Sequence, residues 1–129
     1  MCRRIQTVMR DFTATVDEMK TIVRLFCEDR DWNKFHNPKD LAIGISTEAS
    51  ELLDIFRFKD VSECRELLEN KGSRDAVCDE LADVLYFVLR FAQMNNIDLA
   101  SALENKIYKN GNKYPADKFK GSNKKYNEK

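Results

Sequence analysis

The 129-residue chain has a mass of 15.1 kDa, which allows one compact domain but hardly two. Its 22 basic and 22 acidic residues give no net charge, whereas a general binder of nucleic acids or membrane surfaces depends on a basic excess. Four glycines and two prolines are too few for the frequent turns of a β-sandwich. The longest apolar run, residues 84–89, is far too short to span a bilayer.

Helical periodicity predicts four main helices, over about residues 15–30, 38–58, 74–94 and 98–110. A further short helix is predicted around residues 62–69, in a polar stretch that ends at Gly72. Pro38 suits the first turn of the second helix, Asp98 is a candidate N-cap of the last one, and Gly111 is its candidate C-cap. No segment alternates with period two over the length of a strand, so we predict an all-α fold of the four-helix-bundle type.

The cysteines and the single histidine argue against a zinc site. Cys2, Cys27, Cys64 and Cys78 include no pair with CxxC spacing, and His36 is the only histidine.

The basic N-terminus lacks the apolar core of a signal peptide. We therefore expect reduced thiols and a cytoplasmic location.

Basic residues accumulate at the end of the chain. From Lys106 onward, eight lysines and two acidic residues give a net charge of +6. We expect an N-terminal extension over residues 1–14, a helical domain over residues 15–120 and a Lys-rich flexible tail over residues 121–129.

Two predicted helices carry acidic residues within their apolar arcs. On a helical wheel, Glu48 lies among apolar residues of the second helix and Glu51 lies at the edge of the same arc. Glu80 and Asp83 repeat this arrangement on the helix over residues 74–94. A buried ionised carboxylate must be paired, protonated or bound to a metal ion. If the two helices pack together, the four carboxylates converge on a site that suits Mg²⁺, with Mn²⁺ as a substitute.

Two alternatives to a magnesium site remain at this stage. The carboxylates are also placed to pair with a cation, the candidates being Arg57, Arg74, Arg90 and Lys106. A dinuclear iron bundle is disfavoured, because neither Glu48 nor Glu80 has a histidine three residues later.

Polar residues of the last helix are candidate ligands for a polyphosphate. Lys106 and Asn110 are four residues apart and share one face, and Lys113 and Tyr114 follow just after Gly111. The competing interpretation of Lys106 is a side chain that extends from the edge of an apolar face towards water.

Aromatic residues near helix ends are candidates for stacking against a base. Trp32, Phe35 and Phe58 have the required flat faces, although aromatic residues at helix ends more often fill the core. His36 is interpreted as an ordinary loop histidine rather than a catalytic one.

The order of these motifs resembles a known family. The run Asp31-Trp32-x-x-Phe35-His36-x-Pro38 is followed by Glu48-x-x-Glu51, Glu80-x-x-Asp83 and Lys106-x-x-x-Asn110-x-x-Lys113-Tyr114-Pro115. This arrangement is similar to that of the MazG-like nucleoside triphosphate pyrophosphohydrolases of the all-α NTP pyrophosphatase superfamily, and among these it looks most like the dCTP pyrophosphatase branch. The match covers about residues 15–126.

The resemblance implies an oligomeric helical bundle, a homodimer or a homotetramer, that cleaves a nucleoside triphosphate to the monophosphate and pyrophosphate. It implies Mg²⁺ at the four catalytic acids, Glu48, Glu51, Glu80 and Asp83. The substrate-binding residues it implies are Trp32, His36, Phe58, Phe87, Lys106, Asn110, Lys113 and Tyr114. Phe58 stands where relatives of the dCTP branch have tryptophan, and Phe87 where they have tyrosine. The alternative function is a non-catalytic helical assembly module with a structural divalent ion; no nucleic acid or membrane is expected as a partner.

Overall fold

The computed structural model describes residues 8–128, which contain helices and no strand. This confirms the predicted all-α class. A short 3-10 helix, Asn33–Phe35, lies in the loop between the first two α-helices. The α-helices are α1 Val16–Glu28, α2 Pro38–Phe56, α3 Val61–Glu69, α4 Lys71–Met94, α5 Leu99–Lys113 and α6 Ala116–Phe119.

The chain divides into two compact units, Met1–Asn96 and Ile97–Lys129. Within the first unit, α4 packs against α1, α2 and α3 and is the central helix. The buried apolar residues of the first unit are Val23, Cys27, Leu41, Val77, Leu89 and Ala92. This is a small core, and large apolar side chains of α2 and α4 remain exposed in the single chain, among them Ile43, Leu53, Leu81 and Leu85.

Helices α2 and α4 lie antiparallel. The ring of Phe87 on α4 lies against the backbone of α2 at Gly44. One turn later on α2, the carboxylate of Glu48 lies close to that of Asp83, which is one turn before Phe87 on α4. Gly44 is required for this approach, because a Cβ atom at that position would lie 2.6 Å from two carbons of the Phe87 ring. The register therefore follows from a close contact beside the acidic residues.

The start of α2 agrees with the prediction made from Pro38. The Asn37 side chain accepts a hydrogen bond from the Asp40 backbone N–H at 2.9 Å, and Pro38 occupies the first turn. Pro38 suits this position because a residue there needs no intrahelical N–H bond. The cap fixes the end of the loop that carries Trp32 and His36.

The predicted boundary at Gly72 is wrong. Helix α4 begins at Lys71 and includes Gly72, because the Asn70 side chain caps it by accepting hydrogen bonds from the N–H groups of Gly72 and Ser73, at 3.0 and 3.3 Å. An N-cap of this kind compensates for the low helix propensity of glycine.

The predicted C-cap at Gly111 is also wrong. Helix α5 continues through Gly111 and ends at Lys113, and its C-cap is Tyr114, directly before Pro115. The residue before a proline is disfavoured in the helical conformation, so Pro115 ends the helix. Lys113 therefore belongs to the helix and lies on the same face as Lys106 and Asn110.

Cys27, Cys64 and Cys78 are free thiols, and Cys2 lies outside the described residues. None of the helices in the described part of the chain combines the length and apolar character needed to cross a membrane.

Candidate metal centre

Three carboxylates converge between α2 and α4. Glu48, Glu80 and Asp83 each offer an oxygen atom, and these atoms lie within 4.8 Å of one another. Glu51 lies close enough to act on the cluster electrostatically, since its charge contributes to raising the pKa of both Glu48 and Glu80. The antiparallel packing thus brings together the acidic pairs that the sequence placed on two separate helices.

The inner and outer acids of the cluster differ in exposure. Glu48 and Glu80 are half-buried, while Glu51 and Asp83 are exposed. The Oε2 atoms of Glu48 and Glu80 are buried and accept no hydrogen bond from any donor in residues 8–128. A buried carboxylate oxygen without a donor is costly. Glu48 and Glu80 therefore need a partner that residues 8–128 do not provide.

Crowding of the carboxylates raises their affinity for protons. Hydrogen bonding with Glu51, followed by burial and by the charges of Glu51, Asp83 and Glu80, raises the pKa of Glu48 to about 7. Burial, followed by hydrogen bonding with and the charge of Glu51, raises the pKa of Glu80. Like charges held together disfavour ionisation, and a bound cation removes that penalty.

The arginines proposed as alternative partners are engaged elsewhere. Arg57 lies over the ring of Phe58, 4.5 Å from its centroid. Arg74 donates a hydrogen bond to the Leu68 carbonyl at 3.3 Å, and Arg90 bonds to neutral side chains. Within residues 8–96, no lysine or arginine forms an ion pair with the four acids.

The donor set fits a hard divalent cation. All candidate ligands are carboxylate oxygens, as Mg²⁺ and Mn²⁺ prefer, and two of these oxygens are buried without hydrogen-bond partners. Neither histidine nor cysteine belongs to the cluster. The site therefore matches magnesium in chemistry and does not match the usual zinc ligands.

Trp32 and His36 lie together in the loop between α1 and α2. Both side chains are half-buried, and their rings meet edge to face with centroids 6.2 Å apart. Trp32 also meets Phe26 of α1 at 5.7 Å, and Phe26 meets Tyr86 of α4 at 6.1 Å. A continuous set of ring contacts therefore fixes this loop to the two helices.

Phe58 and Phe87 occupy contrasting environments. Phe58 follows α2 with a φ of 60° and is 90% exposed, so a left-handed backbone, costly for a bulky residue, holds its ring in solvent. Phe87 is half-buried against Gly44 and meets Tyr86 edge to face at 5.0 Å.

The predicted phosphate ligands all lie in the second unit. Lys106 and Lys113 are exposed on α5, and Asn110 is half-buried between them. Lys113 Nζ lies 5.1 Å from the centroid of the Tyr126 ring. Tyr114 meets the rings of Phe119 and Tyr126 at 5.0 and 5.8 Å.

Sequence reasoning missed the contacts of Gly44 and Arg90. Nothing in the sequence shows that Gly44 faces an aromatic ring, because that contact depends on the helix register. A signal was available for Arg90, since it is the single charged residue between Val84 and Ala92, and a lone charge in an apolar segment requires specific partners.

Fold and cluster together define an all-α protein with an acidic cluster between two antiparallel helices that could hold a metal ion. The model of the MazG-like family matches residues 43–128, and the chain belongs to that family. It is 31% identical over 114 residues to human dCTP pyrophosphatase 1, covering 88% of this chain and 67% of the relative. For the rat protein of the same name the identity is 30% over 112 residues, covering 87% and 66%.

A solved structure has the same fold. The crystal structure of a pyrophosphatase from Archaeoglobus fulgidus superposes with a TM-score of 0.72 and 37% identity, covering 84% of this chain and 99% of that one. The chain spans about two thirds of the length of the curated relatives it matches.

Proposed function

We propose that the protein is a magnesium-dependent nucleoside triphosphate pyrophosphohydrolase that acts on dCTP or a modified dCTP. Water cleaves the anhydride between the α and β phosphates, and the products are the nucleoside monophosphate and pyrophosphate. The observation that carries the proposal is the cluster of Glu48, Glu80 and Asp83, with its two buried carboxylate oxygens that accept no hydrogen bond from the described part of the chain. Membership of the MazG-like family and the similarity to proteins named pyrophosphatases support the reaction class.

The four acids would hold the cation. When bound, Mg²⁺ would neutralise charge on the leaving pyrophosphate and polarise a water molecule. Glu48 and Glu80 present the buried oxygens, while Glu51 and Asp83 complete the set from the exposed side. One of the glutamates is assigned to orient the attacking water.

The remaining predicted residues supply binding. Trp32 and Phe58 present ring faces for stacking against the base, and His36 lies beside Trp32. Phe87 is assigned to the sugar, to which its ring can offer no hydrogen bond. Lys106, Asn110 and Lys113 share one face of α5 and, with Tyr114, are assigned to the phosphates. The lysines would stabilise negative charge that develops on the bridging oxygen.

An oligomer completes the proposal. Leu53 is 66% exposed and Ile43 53% exposed on α2, and Leu81 is 52% exposed on α4. Exposed apolar side chains in such numbers are typical of a protein–protein interface, which supports a homodimer or homotetramer. Analytical ultracentrifugation is expected to show one of these species, and a stable monomer at micromolar concentration would contradict this part of the proposal.

The decisive experiment is a panel of canonical and modified deoxynucleoside triphosphates with Mg²⁺, analysed by ³¹P NMR. The proposal predicts monophosphate and pyrophosphate, with dCTP or a modified dCTP preferred. Release of orthophosphate would contradict the choice of bond. A metal-dependent rise in melting temperature without hydrolysis of any nucleotide would favour the alternative, a non-catalytic assembly module with a structural ion.

A further inference from the structure

Arg90 is a fully buried arginine whose partners are all neutral. It is 1% exposed, and its guanidinium group is a hydrogen-bond donor with no acceptor atom. Its Nε donates to His36 Nδ1 at 3.0 Å, Nη1 donates to Gln93 Oε1 at 2.6 Å, and Nη2 donates to Asn33 Oδ1. Each of the three guanidinium nitrogens donates one hydrogen bond, which offsets part of the cost of burying the charge, and no carboxylate of residues 8–128 forms an ion pair with Arg90.

Two of these partners belong to the loop that carries Trp32. Asn33 and His36 both lie in the segment between α1 and α2, whereas Arg90 and Gln93 belong to α4. The guanidinium group therefore joins the loop to the central helix at two points, and its planar, fixed geometry holds both points in one orientation. Lysine lacks this property, because its three donors radiate from one nitrogen at the end of a flexible side chain.

The contact also determines the protonation of His36. A guanidinium group donates hydrogen bonds and accepts none, so His36 Nδ1 must be an unprotonated acceptor. The ring is then neutral and carries its proton on Nε2, which forms no hydrogen bond with residues 8–128. Burial, followed by the charge of Arg90, lowers the pKa of His36, and the ring that meets it edge to face, that of Trp32, carries no charge.

We propose that Arg90 is a positioning residue that fixes His36 as its Nε2–H tautomer, so that the loop beside Trp32 offers the nucleobase a hydrogen-bond donor. An acceptor on the edge of the base, such as a ring carbonyl oxygen or an unprotonated ring nitrogen, is the group such a donor recognises. The assignment of the base to this loop rests on the proposed function. The fixed tautomer of His36, by contrast, follows from the geometry of the folded chain alone.

One experiment reads the tautomer directly. His36 is the only histidine, so untagged protein labelled with ¹⁵N-histidine gives the two nitrogen signals of a single imidazole ring, and their shifts distinguish the tautomers. The proposal predicts an Nε2-protonated ring with a pKa below 6.5 in the wild-type protein. Arg90→Met is expected to give a mixture of tautomers and to return the pKa towards 6.5. Arg74→Met, an exposed arginine of the same helix, is the matched control and should change neither.

Kinetics separate positioning from catalysis. Arg90→Met is expected to raise KM for dCTP about tenfold, as for one lost hydrogen bond, and to leave kcat within about threefold. His36→Phe should raise KM equally, and His36→Gln, which keeps an N–H donor, should recover most of the loss. Because replacing a buried ion by an apolar side chain of similar volume is often tolerated, Arg90→Met should fold, which its melting curve will show.

Arg90→Lys tests geometry apart from charge, and it also replaces Arg90→Met if that variant is unfolded. It should keep the lowered His36 pKa but give mixed tautomers and a raised KM. An Nδ1–H tautomer in the wild-type protein, or an unchanged tautomer in both Arg90 variants, would overturn the proposal. If the wild-type protein hydrolyses no nucleotide, the proposed function fails, while the NMR result still decides the tautomer of His36.

Discussion

Helix α4 contributes to two sites with buried charged groups: in one, buried atoms have no hydrogen-bond partner among the described residues, and in the other the charged group has partners on all three of its nitrogens. At its middle, Glu80 and Asp83 meet Glu48 in a cluster with two buried oxygens that accept no hydrogen bond from the described residues. Two turns later, Arg90 donates to three neutral side chains and leaves none of its three nitrogens without a partner. Residues 8–128 thus provide hydrogen-bond acceptors for the buried cation, whereas they provide no donor for the two buried oxygens of the acidic cluster.

The largest expected effect comes from changing an acid of the cluster. Glu48→Gln or Asp83→Asn should lower kcat/KM by roughly a thousandfold or more, because loss of a metal ligand costs several kcal/mol of transition-state stabilisation. Steady-state hydrolysis measures this loss, with circular dichroism to verify helicity. Asp75→Asn, an exposed acid of α4, is the control and should retain activity. Full activity of Glu48→Gln would remove Glu48 from the site.

Magnesium should stabilise the wild-type protein in the absence of nucleotide. At a hundredfold excess over its Kd, the ion adds about 2.7 kcal/mol, which raises the melting temperature by about 10 °C for a domain of this size. Differential scanning calorimetry with and without Mg²⁺ measures the shift. The same increase in Glu48→Gln would show that the ion binds elsewhere.

The pH dependence should differ between the metal-free and magnesium-bound states. In the metal-free protein the pKa of Glu48 is raised from 4.5 to about 7, so the folded state holds a proton that the unfolded chain releases. Stability should therefore fall as the pH rises from about 4.5 to about 7. Because Mg²⁺ binds the ionised acids, its affinity should fall as the pH drops below about 7.

Melting curves and magnesium titrations between pH 5 and 8 measure both trends. Glu48→Gln should flatten the metal-free curve. Magnesium affinity independent of pH, in the wild-type protein, would contradict the assignment of the cluster as the binding site.

Packing beside the cluster can be tested at Gly44. Gly44→Ala places a Cβ 2.6 Å from the Phe87 ring, and overpacking of this kind costs about 1–3 kcal/mol. The melting temperature should fall, and the smaller side chain in Gly44→Ala/Phe87→Leu should recover part of the loss. Additive effects of the two substitutions would show that the residues do not interact.

The smallest expected change in stability concerns Phe58. Phe58→Gly should stabilise the fold by about 1 kcal/mol, since glycine adopts the φ of 60° without strain. If the exposed ring stacks on the base, the same variant should raise KM for dCTP by about tenfold, because stacking contributes about 1–3 kcal/mol. An unchanged KM would remove Phe58 from substrate binding.

The sequence was sufficient to predict helices α1 to α5, though not the short α6, and to single out the paired acids. Glu48 and Glu80 stand out because an acid within an apolar arc is costly wherever that arc is buried. It was not sufficient for Gly72 and Gly111, where the Asn70 cap and Pro115, rather than glycine, set the helix ends. The partners of Arg90 and the contact of Phe87 with Gly44 depend on packing between distant segments, which periodicity does not encode. The roles of Lys106, Asn110, Lys113 and Tyr114 stay predictions from the family resemblance.

The central claim is that a divalent cation binds between α2 and α4. The most direct measurement is anomalous X-ray diffraction from crystals of the protein grown with Mn²⁺ in place of Mg²⁺. The account predicts an anomalous peak within coordination distance of the Glu48, Glu80 and Asp83 carboxylates. Density for Mn²⁺ elsewhere, with none among these three carboxylates at a saturating concentration, would contradict it.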